Sequence, residues 1–197
     1  MIPCDDDADD LLVLTAAHVL DQVTDGARVL WAPRGLEPSS TDGSYCGTVR
    51  RRVPLVNLPA ISVDAAVIKP PPHFACRNHL ACGAPTGIRD LWVVEDESRP
   101  IAVRKHGAQT QLTSGELLPV AADLRIEGVK TQYRDGWWVY GSDGTAFATR
   151  GDSGAIVVDE ERSVVGMVVA VENPGPDAAT FIHGVRQIFK ALQIQMP

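Results

Sequence analysis

Short apolar runs separated by turn-forming dipeptides make up most of this chain. The runs are rich in valine and other β-branched residues, a composition that is typical of strands. They cover residues 63–68, 137–140, 155–158 and 164–171. Asp-Gly pairs, which favour hairpin turns and loops, stand at 25–26, 42–43, 135–136 and 143–144. The pattern predicts a body made mostly of antiparallel β-structure.

The C-terminal end of the chain has a different period. Six apolar residues there recur at spacings of three and four, which places them on one face of a helix. They are Ile182, Val185, Ile188, Phe189, Leu192 and Met196. Between positions 69 and 100 the composition shifts to proline, glycine, cysteine and histidine, as in a linker. The sequence thus predicts two β subdomains, residues 1–70 and 100–181, with a linker over 71–99 and a terminal helix over 182–197.

Composition and charge limit the classes of protein to which the chain can belong. Its 197 residues, 45% apolar and 22% charged, are typical of a globular protein. The net charge is −7, and five aspartates among residues 5–10 supply most of it. The basic cluster of Arg50, Arg51 and Arg52 is too small to neutralise a row of phosphates, so nucleic acid is not expected as a partner.

Hydropathy and cysteine usage bear on the compartment. The longest apolar stretches are far shorter than the roughly 20 residues that span a bilayer, so no membrane association is expected. The first residues show no secretory signal, and four cysteines, at positions 4, 46, 76 and 82, do not make a disulfide scaffold. We therefore expect reduced thiols and a cytoplasmic protein.

Three short stretches carry the residue types that acyl transfer needs. His18 follows an apolar strand, Asp64 stands within a valine-rich run, and Ser153 lies in a Gly-Asp-Ser-Gly loop that leads into another run. A serine hydroxyl is a poor nucleophile at neutral pH and needs a base, and the base needs a third group that fixes its tautomer. Gly151 lets the backbone bend so that amides can converge on a developing oxyanion.

These stretches resemble the signatures of the trypsin/chymotrypsin-like serine peptidases. Thr-Ala-Ala-His at 15–18, Asp-Ala-Ala-Val at 64–67 and Gly-Asp-Ser-Gly at 151–154 follow one another in that family's order of His, Asp and Ser. Val-Gly-Met-Val at 165–168 stands where the family has a later strand. The resemblance therefore covers most of the chain.

A further segment is similar to one in a group of bacterial, intracellular trypsin-like peptidases. Residues 105–115 fit the pattern K-x-G-x-x-T-x-L-T-x-G, which opens the second barrel in that group. Gln111 stands where glycine is common, which leaves the local backbone geometry open.

The resemblance implies an all-β fold of two six-stranded antiparallel barrels with a C-terminal α-helix and an active site in the cleft between the barrels. It implies that Ser153 is the nucleophile, His18 the general base and then acid, and Asp64 the orienting carboxylate. The backbone amides of Gly151 and Ser153 would form the oxyanion hole. No metal or organic cofactor is implied.

The resemblance also implies how a protein or peptide substrate is bound. Val169, Ala170 and Val171 align with the edge strand that pairs with an extended substrate. Phe147 aligns with the floor of the primary specificity pocket. An aromatic ring there carries no charge to attract arginine or lysine, so we expect a small or apolar residue before the cut. Regulation by a partner protein within a larger defence or signalling assembly is a further expectation.

Two departures from the family bear on activity. Only 17 residues precede His18, so the first barrel is expected to be incomplete. The residues Met-Ile-Pro do not resemble the Ile-Val terminus that, in secreted relatives, pairs with the aspartate before the nucleophile, so Asp152 has another partner or none. We therefore expect a weak or silent protease until a partner protein or a further N-terminal segment orders the oxyanion loop.

Two other functions fit parts of the sequence. A catalytically idle trypsin-fold module that binds a partner through the substrate cleft fits the short first barrel. A nucleophile elbow of an α/β-hydrolase would use Asp159 or Asp177 with His183. Ala155 breaks the G-x-S-x-G pattern of that elbow and the alternating helices are missing, so His183 is instead expected at the start of the last helix.

A structural zinc site is the alternative for one part of the linker. Four zinc-type ligands are spaced by three residues there: His73, Cys76, His79 and Cys82. Tetrahedral sites usually take pairs of ligands from two separate elements, and four ligands in one short stretch rarely converge. The spacing therefore favours a linker with buried thiols.

The remaining features have simple structural interpretations. The aspartates at 5–10 lack the glycine and glutamate of a calcium loop and are expected on a solvated, mobile terminus. Trp137 and Trp138 are expected to pack in the core. The arginines at 50–52 are expected on a solvated strand or loop face.

Overall fold

The computed structural model of the chain describes residues 2–4, 7–20, 25–30, 45–55, 60–71, 81, 83–93, 98–125, 132–172, 175 and 178–195. Their regular structure is almost entirely β, as the valine-rich runs predict. The strands are β1 (Ile2–Cys4), β2 (Asp7–Thr15), β3 (Arg28–Leu30), β4 (Tyr45–Arg52), β5 (Ala60–Ile61), β6 (Ala66–Lys69), β7 (Gly87–Ile88), β8 (Ile101–Gly107), β9 (Gln111–Leu117), β10 (Ala122–Arg125), β11 (Gln132–Gly141), β12 (Ile156–Asp159), β13 (Ser163–Glu172) and β14 (Ala179–Gly184). A short 3₁₀ helix spans Ala17–Leu20, and the α-helix α1 spans Val185–Leu192.

The N-terminal half forms an antiparallel sheet in the order β1-β2-β6-β4-β3. Ile68 of β6 lies opposite Val13 of β2 on one side and opposite Val49 of β4 on the other. The sheet packs against the 3₁₀ helix through Ala17 and Leu20 in a small apolar cluster. The described residues thus supply five strands to this half, where the resemblance implies six.

The acid-rich start of the chain belongs to this sheet. β1 pairs with β2, with Cys4 opposite Asp7 and Ile2 opposite Leu12. The expectation of a mobile terminus is therefore wrong for residues 7–10, which lie within β2 and are held by backbone pairing along the sheet despite the low strand propensity of aspartate. The aspartates at 5 and 6 lie outside the described residues.

The C-terminal half contains a closed six-stranded barrel. Its strands follow the order β11-β14-β13-β12-β8-β9, and β9 pairs again with β11. Alternate side chains fill the interior, where Trp137, Phe147 and Ile182 are buried in one apolar cluster. β10 extends the sheet beside β11, and the short β5 and β7 pair in parallel with β11 and β13. The closed barrel agrees with the resemblance.

The two adjacent tryptophans of β11 both serve packing, as predicted. Trp137 is buried and meets Trp92 edge to face, with the ring centroids 5.0 Å apart. Trp138 belongs to another cluster and meets Phe181 edge to face at 5.1 Å. The aromatic pair thus packs on both faces of the strand.

The Asp-Gly pairs at 25–26 and 143–144 lie in turns, as predicted. Asp143 and Gly144 have φ values of 57° and 67°, the left-handed conformation for which this dipeptide is suited. The pair at 42–43 lies outside the described residues.

The Asp-Gly pair at 135–136 does not form the predicted turn and lies inside β11. Across from it in β10, Ala122 is opposite Gly136 while Leu124 is opposite Tyr133. β11 therefore has one extra residue at this point, which is a β-bulge, and the left-handed conformation of the aspartate accommodates it.

The C-terminal helix is shorter than the predicted span of 182–197. Ile182 belongs to β14, α1 begins three residues later, and Met196 lies outside the described residues. The buried face is the predicted one and consists of Val185, Ile188, Phe189 and Leu192. Among the residues that the structure describes, no helix is long and apolar enough to cross a bilayer.

The basic cluster at 50–52 also differs from its prediction. Arg51 Nη1 donates to the carbonyl of Leu192 at 2.6 Å and to Oε1 of Gln193 at 3.0 Å, at the C-terminal end of α1. The expectation of a solvated face is therefore wrong for Arg51, whereas its neighbour Arg50 is exposed.

One apolar cluster joins the two halves. Leu12 and Val67 of the first sheet belong to the same cluster as Val158 and Met167 of the barrel and the buried face of α1. The helix thus packs across the junction between the two halves.

Candidate active site

His18 and Asp64 lie together at one end of the first sheet. The 3₁₀ helix that carries His18 follows β2, and Asp64 lies in the extended segment two residues before β6, which pairs with β2. The sequence predicted Asp64 within a strand, and the strand begins just after it. The His18 Nδ1 and Asp64 Oδ2 atoms are 2.6 Å apart, and the His18 backbone N–H donates to Asp64 Oδ1 at 3.0 Å. The carboxylate thus holds both the ring and the backbone of the histidine.

A residue from the other half of the molecule also contacts Asp64. The Asp64 side chain is fully buried, whereas 37% of the His18 side chain is exposed. The hydroxyl of Tyr133, from β11, donates to Asp64 Oδ2 at 3.0 Å. The sequence analysis did not identify Tyr133 as part of the site.

The protonation states in this group follow from its contacts. Burial by itself raises the pKa of Asp64, but hydrogen bonds from His18 and Tyr133 and the charge of His18 outweigh it and leave the pKa below its usual value. Burial and the neighbouring carboxylate raise the pKa of Tyr133, so its phenol keeps the proton. With Asp64 ionised, His18 Nδ1 is the donor and Nε2 is the ring nitrogen that can accept a proton.

His183 supports Asp64 from behind. It is fully buried near the end of β14, and its Nδ1 accepts the backbone N–H of Asp64 at 3.0 Å. The prediction that it begins the last helix is wrong, because the helix begins at Val185. Burial lowers the pKa of His183 to about 4, and the nearby Asp64 opposes that shift. The ring is therefore neutral at physiological pH, with its proton on Nε2, which has no hydrogen-bond partner among the described residues.

Ser153 lies in a tight loop before β12. Gly151 and Gly154 have φ values of 97° and 90°, a region that favours glycine. A Cβ atom at Gly154 would lie 2.8 Å from Oγ1 of Thr15, so the loop packs against the last residue of β2. This contact places the Ser153 loop beside the segment that carries His18.

The backbone amides of this loop fall into two groups. Those of Asp152, Gly154 and Ala155 donate to backbone carbonyls. Those of Gly151 and Ser153 have no backbone acceptor in the part of the chain that the structure describes. These are the two donors that the resemblance assigns to the oxyanion hole. Both could donate a hydrogen bond to an oxygen of a bound molecule.

Asp152 has a charged partner within the chain. Its Oδ2 lies 3.5 Å from Nζ of Lys105, and both side chains are fully buried. The backbone N–H groups of Gln109 and Thr149 donate to the carboxylate at 2.7 and 3.0 Å, and the hydroxyl of Thr110 does so at 2.8 Å. The open question of whether Asp152 has a partner is thereby answered, and the expectation that nothing holds this loop is wrong.

Phe147 lies in the core of the closed barrel. Its side chain is fully buried, and its backbone carbonyl accepts the hydroxyl of Thr113 at 2.7 Å. The Nζ atom of Lys105 is 5.6 Å from the centroid of its ring. The Phe147 ring therefore lies near the ammonium group of Lys105, which is paired with Asp152.

Val169, Ala170 and Val171 follow one another along β13 beside the candidate nucleophile. The hydroxyl of Ser153 donates to the carbonyl of Val169 at 3.3 Å. On one side this stretch pairs with β14. On the other side no strand of the described residues pairs with Ala170 or Val171, because β12 pairs only as far as Met167. The free edge is suited to an extended peptide.

The zinc alternative finds no support in the described residues, which contain no group of three or more metal-ligating side chains. The linker candidates His73, Cys76, His79 and Cys82 lie outside the described residues.

The α/β-hydrolase alternative is wrong. That fold needs helices alternating with parallel strands, whereas the strands here form an antiparallel sheet and a closed barrel. Asp159 accepts the backbone N–H of Ser163 at 2.7 Å and lies 3.5 Å from Arg89, so it serves a turn. Asp177 lies outside the described residues.

Comparison with known proteins was made on sequence and on structure. No protein-family model matches the sequence, and no curated protein matches it. The structure, in contrast, is similar to many solved structures.

The similar structures include proteases. The Nocardiopsis protease NAPase has a TM-score of 0.65 and 16% identity, over 98% of this chain and 87% of that one. Cellulomonas bogoriensis chymotrypsin has a TM-score of 0.64 and 16% identity, over 93% and 84%. A serine protease specific for glutamic acid has a TM-score of 0.64 and 14% identity, over 95% and 87%. The chain therefore has the chymotrypsin-like fold of serine proteases.

Proposed function

We propose that this protein is a serine endopeptidase that cleaves a protein or peptide substrate by acyl transfer. One observation carries the proposal. The fully buried Asp64 carboxylate accepts hydrogen bonds from both the ring and the backbone of His18, and the Ser153 loop packs against Thr15, three residues before His18. Burying a carboxylate costs free energy. A carboxylate buried beside a histidine is suited to fixing the tautomer of a general base and to stabilising its protonated form.

Each catalytic group has a defined role in the reaction. His18 Nε2 takes the hydroxyl proton of Ser153 as its oxygen attacks the scissile carbonyl carbon. Asp64 holds the Nδ1 proton and stabilises the imidazolium. The amides of Gly151 and Ser153 donate to the carbonyl oxygen as it becomes negative. His18 then protonates the leaving amine, and water attacks the acyl-enzyme by the same route.

The side chain of Ser153 must turn before attack. Its hydroxyl donates to the carbonyl of Val169, and its proton has to be directed to His18 when it is removed. Rotation about a side-chain torsion achieves this, and catalytic hydrogen bonds often tighten only when substrate is bound.

Substrate binding completes the proposal. The free edge at Ala170 and Val171 pairs with an extended peptide next to Ser153. Phe147 is the proposed floor of the pocket for the residue before the cut; its ring has no solvent exposure in this structure, and Nζ of Lys105 lies 5.6 Å from the ring centroid. Because Phe147 offers no carboxylate counter-ion to a lysine or arginine, and the nearby Lys105 charge is already paired with Asp152, we expect that residue to be small or apolar. A cleavage profile on a proteome-derived peptide library measures this preference, and a strong preference for arginine would contradict it.

The idle module remains the alternative function, since a cleft of the same shape could bind a protein without cutting it. We do not assign an activating partner, because the loop that such a partner would order is already held by Lys105 and the β8–β9 hairpin. A cytoplasmic location stays part of the proposal and is supported by cysteine usage alone.

A fluorophosphonate probe followed by intact-mass analysis tests the proposal. The wild-type chain should gain one adduct, located at Ser153, and Ser153→Ala and His18→Ala should each abolish both labelling and peptide cleavage. The double variant should lose no more than either single variant, because the two residues act as a unit. Ser142→Ala, in a turn at the end of β11, is the matched control and should label fully. An unlabelled but folded wild-type chain would support the idle module.

A further inference from the structure

Tyr133 reaches the Asp64 carboxylate from a face of β11 on which a regular strand would not place it. Successive residues of a strand point to opposite faces, so Tyr133 and Trp137, four residues apart, would share one face. Trp137 lies in the cluster that fills the barrel. Tyr133 instead packs with Trp138 and Phe181 in the cluster on the other face. An irregularity between residues 133 and 137 therefore turns the tyrosine to the opposite face.

That irregularity is the bulge at Asp135 and Gly136. Between two paired positions, β10 advances by two residues, from Ala122 to Leu124, while β11 covers the three residues between Gly136 and Tyr133. One extra residue reverses the alternation of side chains, because every residue beyond it changes face. The bulge thus accounts for the direction in which Tyr133 points.

The bulge is also the point at which β11 changes its neighbour. From Gly136 to Tyr140, β11 pairs with β14. Before the bulge it pairs with β5, where Tyr133 is opposite Ile61. Ile61 lies three residues before Asp64, so this pairing brings the Asp64 segment beside the tyrosine. The Tyr133 hydroxyl then donates to Asp64 Oδ2 at 3.0 Å.

Asp123 of β10 holds the bulge in place. A bulge leaves its extra residue without a partner in the ladder of backbone hydrogen bonds. Asp123 Oδ1 accepts the backbone N–H of Asp135 at 3.2 Å, and its Oδ2 accepts the side-chain amide of Gln132 at 3.1 Å. One carboxylate thus joins the two residues that bracket the Tyr133 position.

Asp135 and Gly136 suit the bulge for different reasons. Asp135 has a φ of 55°, in the left-handed region that aspartate adopts more readily than most side chains. A Cβ atom at Gly136 would lie 2.2 Å from the Phe181 ring, so glycine lets this ring pack against the backbone. The Phe181 ring in turn lies 6.3 Å from that of Tyr133, measured between centroids.

We propose that the Asp135–Gly136 bulge is a positioning element of the active site, which turns the Tyr133 hydroxyl toward Asp64 and so helps to keep the carboxylate aimed at His18. Asp123 and Asp135 are then positioning residues that act through Tyr133. The proposal rests on the proposed peptidase function, because it gives two exposed aspartates an effect on the reaction.

Asp135→Val tests the proposal, because a β-branched side chain opposes the left-handed conformation. The variant should lower kcat about tenfold with little change in KM, the loss expected when the Tyr133 hydroxyl no longer reaches Asp64. Asp135→Gly favours the same conformation and should keep the wild-type kcat. Arg162→Val is the matched control, because Arg162 has a φ of 65° in the turn between β12 and β13 and the same strain there should leave kcat unchanged.

A double variant decides whether the bulge acts through Tyr133. In a Tyr133→Phe background, Asp135→Val should lower kcat no further, because the hydroxyl that the bulge aims is already gone. An equal loss in both backgrounds would overturn the proposal, as would equal kcat values for Asp135→Val and Arg162→Val. If Asp135→Val does not fold, Asp123→Ala removes the acceptor of the Asp135 N–H without adding strain. It should also lower kcat, and only where Tyr133 is present.

NMR separates this proposal from the proposed function. The downfield signal of the His18 Nδ1 proton reports how Asp64 is held and needs no turnover. It should shift in Asp135→Val and stay in place in Asp135→Gly and Arg162→Val, even if the wild-type chain proves idle. An unchanged signal in Asp135→Val would overturn the role of the bulge, whereas a folded wild-type chain that the fluorophosphonate probe does not label would contradict only the peptidase function.

Discussion

Two carboxylate oxygens of Asp64 serve three donors. Oδ1 accepts the backbone N–H of His18, and Oδ2 accepts both the His18 ring and the Tyr133 hydroxyl. A hydrogen bond to a charged group contributes about 1.5–3 kcal/mol, more than one between neutral groups. Tyr133 therefore helps to keep a fully buried carboxylate ionised and aimed at the ring.

Tyr133→Phe should reduce kcat roughly tenfold without unfolding the protein, because the lost donor weakens the hold on Asp64 but leaves His18 in place. The ring still packs near Phe181 and His183, so the aromatic cluster survives. Steady-state kinetics and the downfield NMR signal of the His18 Nδ1 proton measure the effect. Tyr140→Phe, at an exposed tyrosine in the same strand, is the control. An unchanged rate and signal would reduce Tyr133 to a packing role.

The sequence predicts part of this site and not the rest, for a physical reason. His18, Asp64 and Ser153 stand in short motifs whose local composition marks them. Tyr133 and His183 reach Asp64 from β11 and β14, and a single tyrosine or histidine within an apolar strand looks like any other core residue. Only the pairing of distant strands shows that they share one carboxylate.

The strands can be predicted from composition, but the structure that an Asp-Gly pair adopts depends on the sheet around it. Asp-Gly forms a turn at 143–144, where the strand ends. The same pair at 135–136 becomes a bulge, because β11 continues and pairs with β10 and β14 on both sides of it. A Cβ atom at Gly136 would lie 2.2 Å from the Phe181 ring, so glycine is needed there for close packing.

The C-terminal end of α1 depends on an arginine from the other half of the molecule. Arg51 donates to the Leu192 carbonyl, one of the helix-end acceptors that have no partner within the helix, and its charge favours that end. Arg51→Ala should therefore lower the free energy of unfolding by about 1–2 kcal/mol, as measured by denaturant titration. Arg104→Ala, at an exposed arginine of β8, should change it by less than about 0.5 kcal/mol. Equal effects of the two substitutions would contradict the assigned contact.

At the scale of the whole molecule, the halves are joined by apolar packing and by polar contacts to Asp64 at the active site. The apolar cluster includes Leu12 and Val67 on one side and Val158 and Met167 on the other. The polar contacts are the hydrogen bond from the Asp64 backbone N–H to His183 and the one from the Tyr133 hydroxyl to the Asp64 carboxylate. The division of the chain at residues 70 and 100 remains our proposal, and the pairing of β5 with β11 shows that residues before 70 also contribute to the sheet of the C-terminal half.

His183 should make this junction sensitive to acid. Burial lowers its pKa from 6.5 to about 4, so between these values the unfolded chain binds a proton that the folded protein does not. The contribution of His183 to stability is therefore complete above pH 6.5, is lost by roughly 3 kcal/mol as the pH drops toward 4, and changes no further below that. His183→Gln keeps an oxygen that can accept the Asp64 N–H and has no group that titrates in this range, so its free energy of unfolding should change much less between pH 7 and pH 4. His106→Gln, at a less buried histidine, is the matched control for the substitution itself. Urea unfolding at a series of pH values measures both, and equal slopes in wild type and His183→Gln would show that the acid sensitivity of the junction lies in other groups.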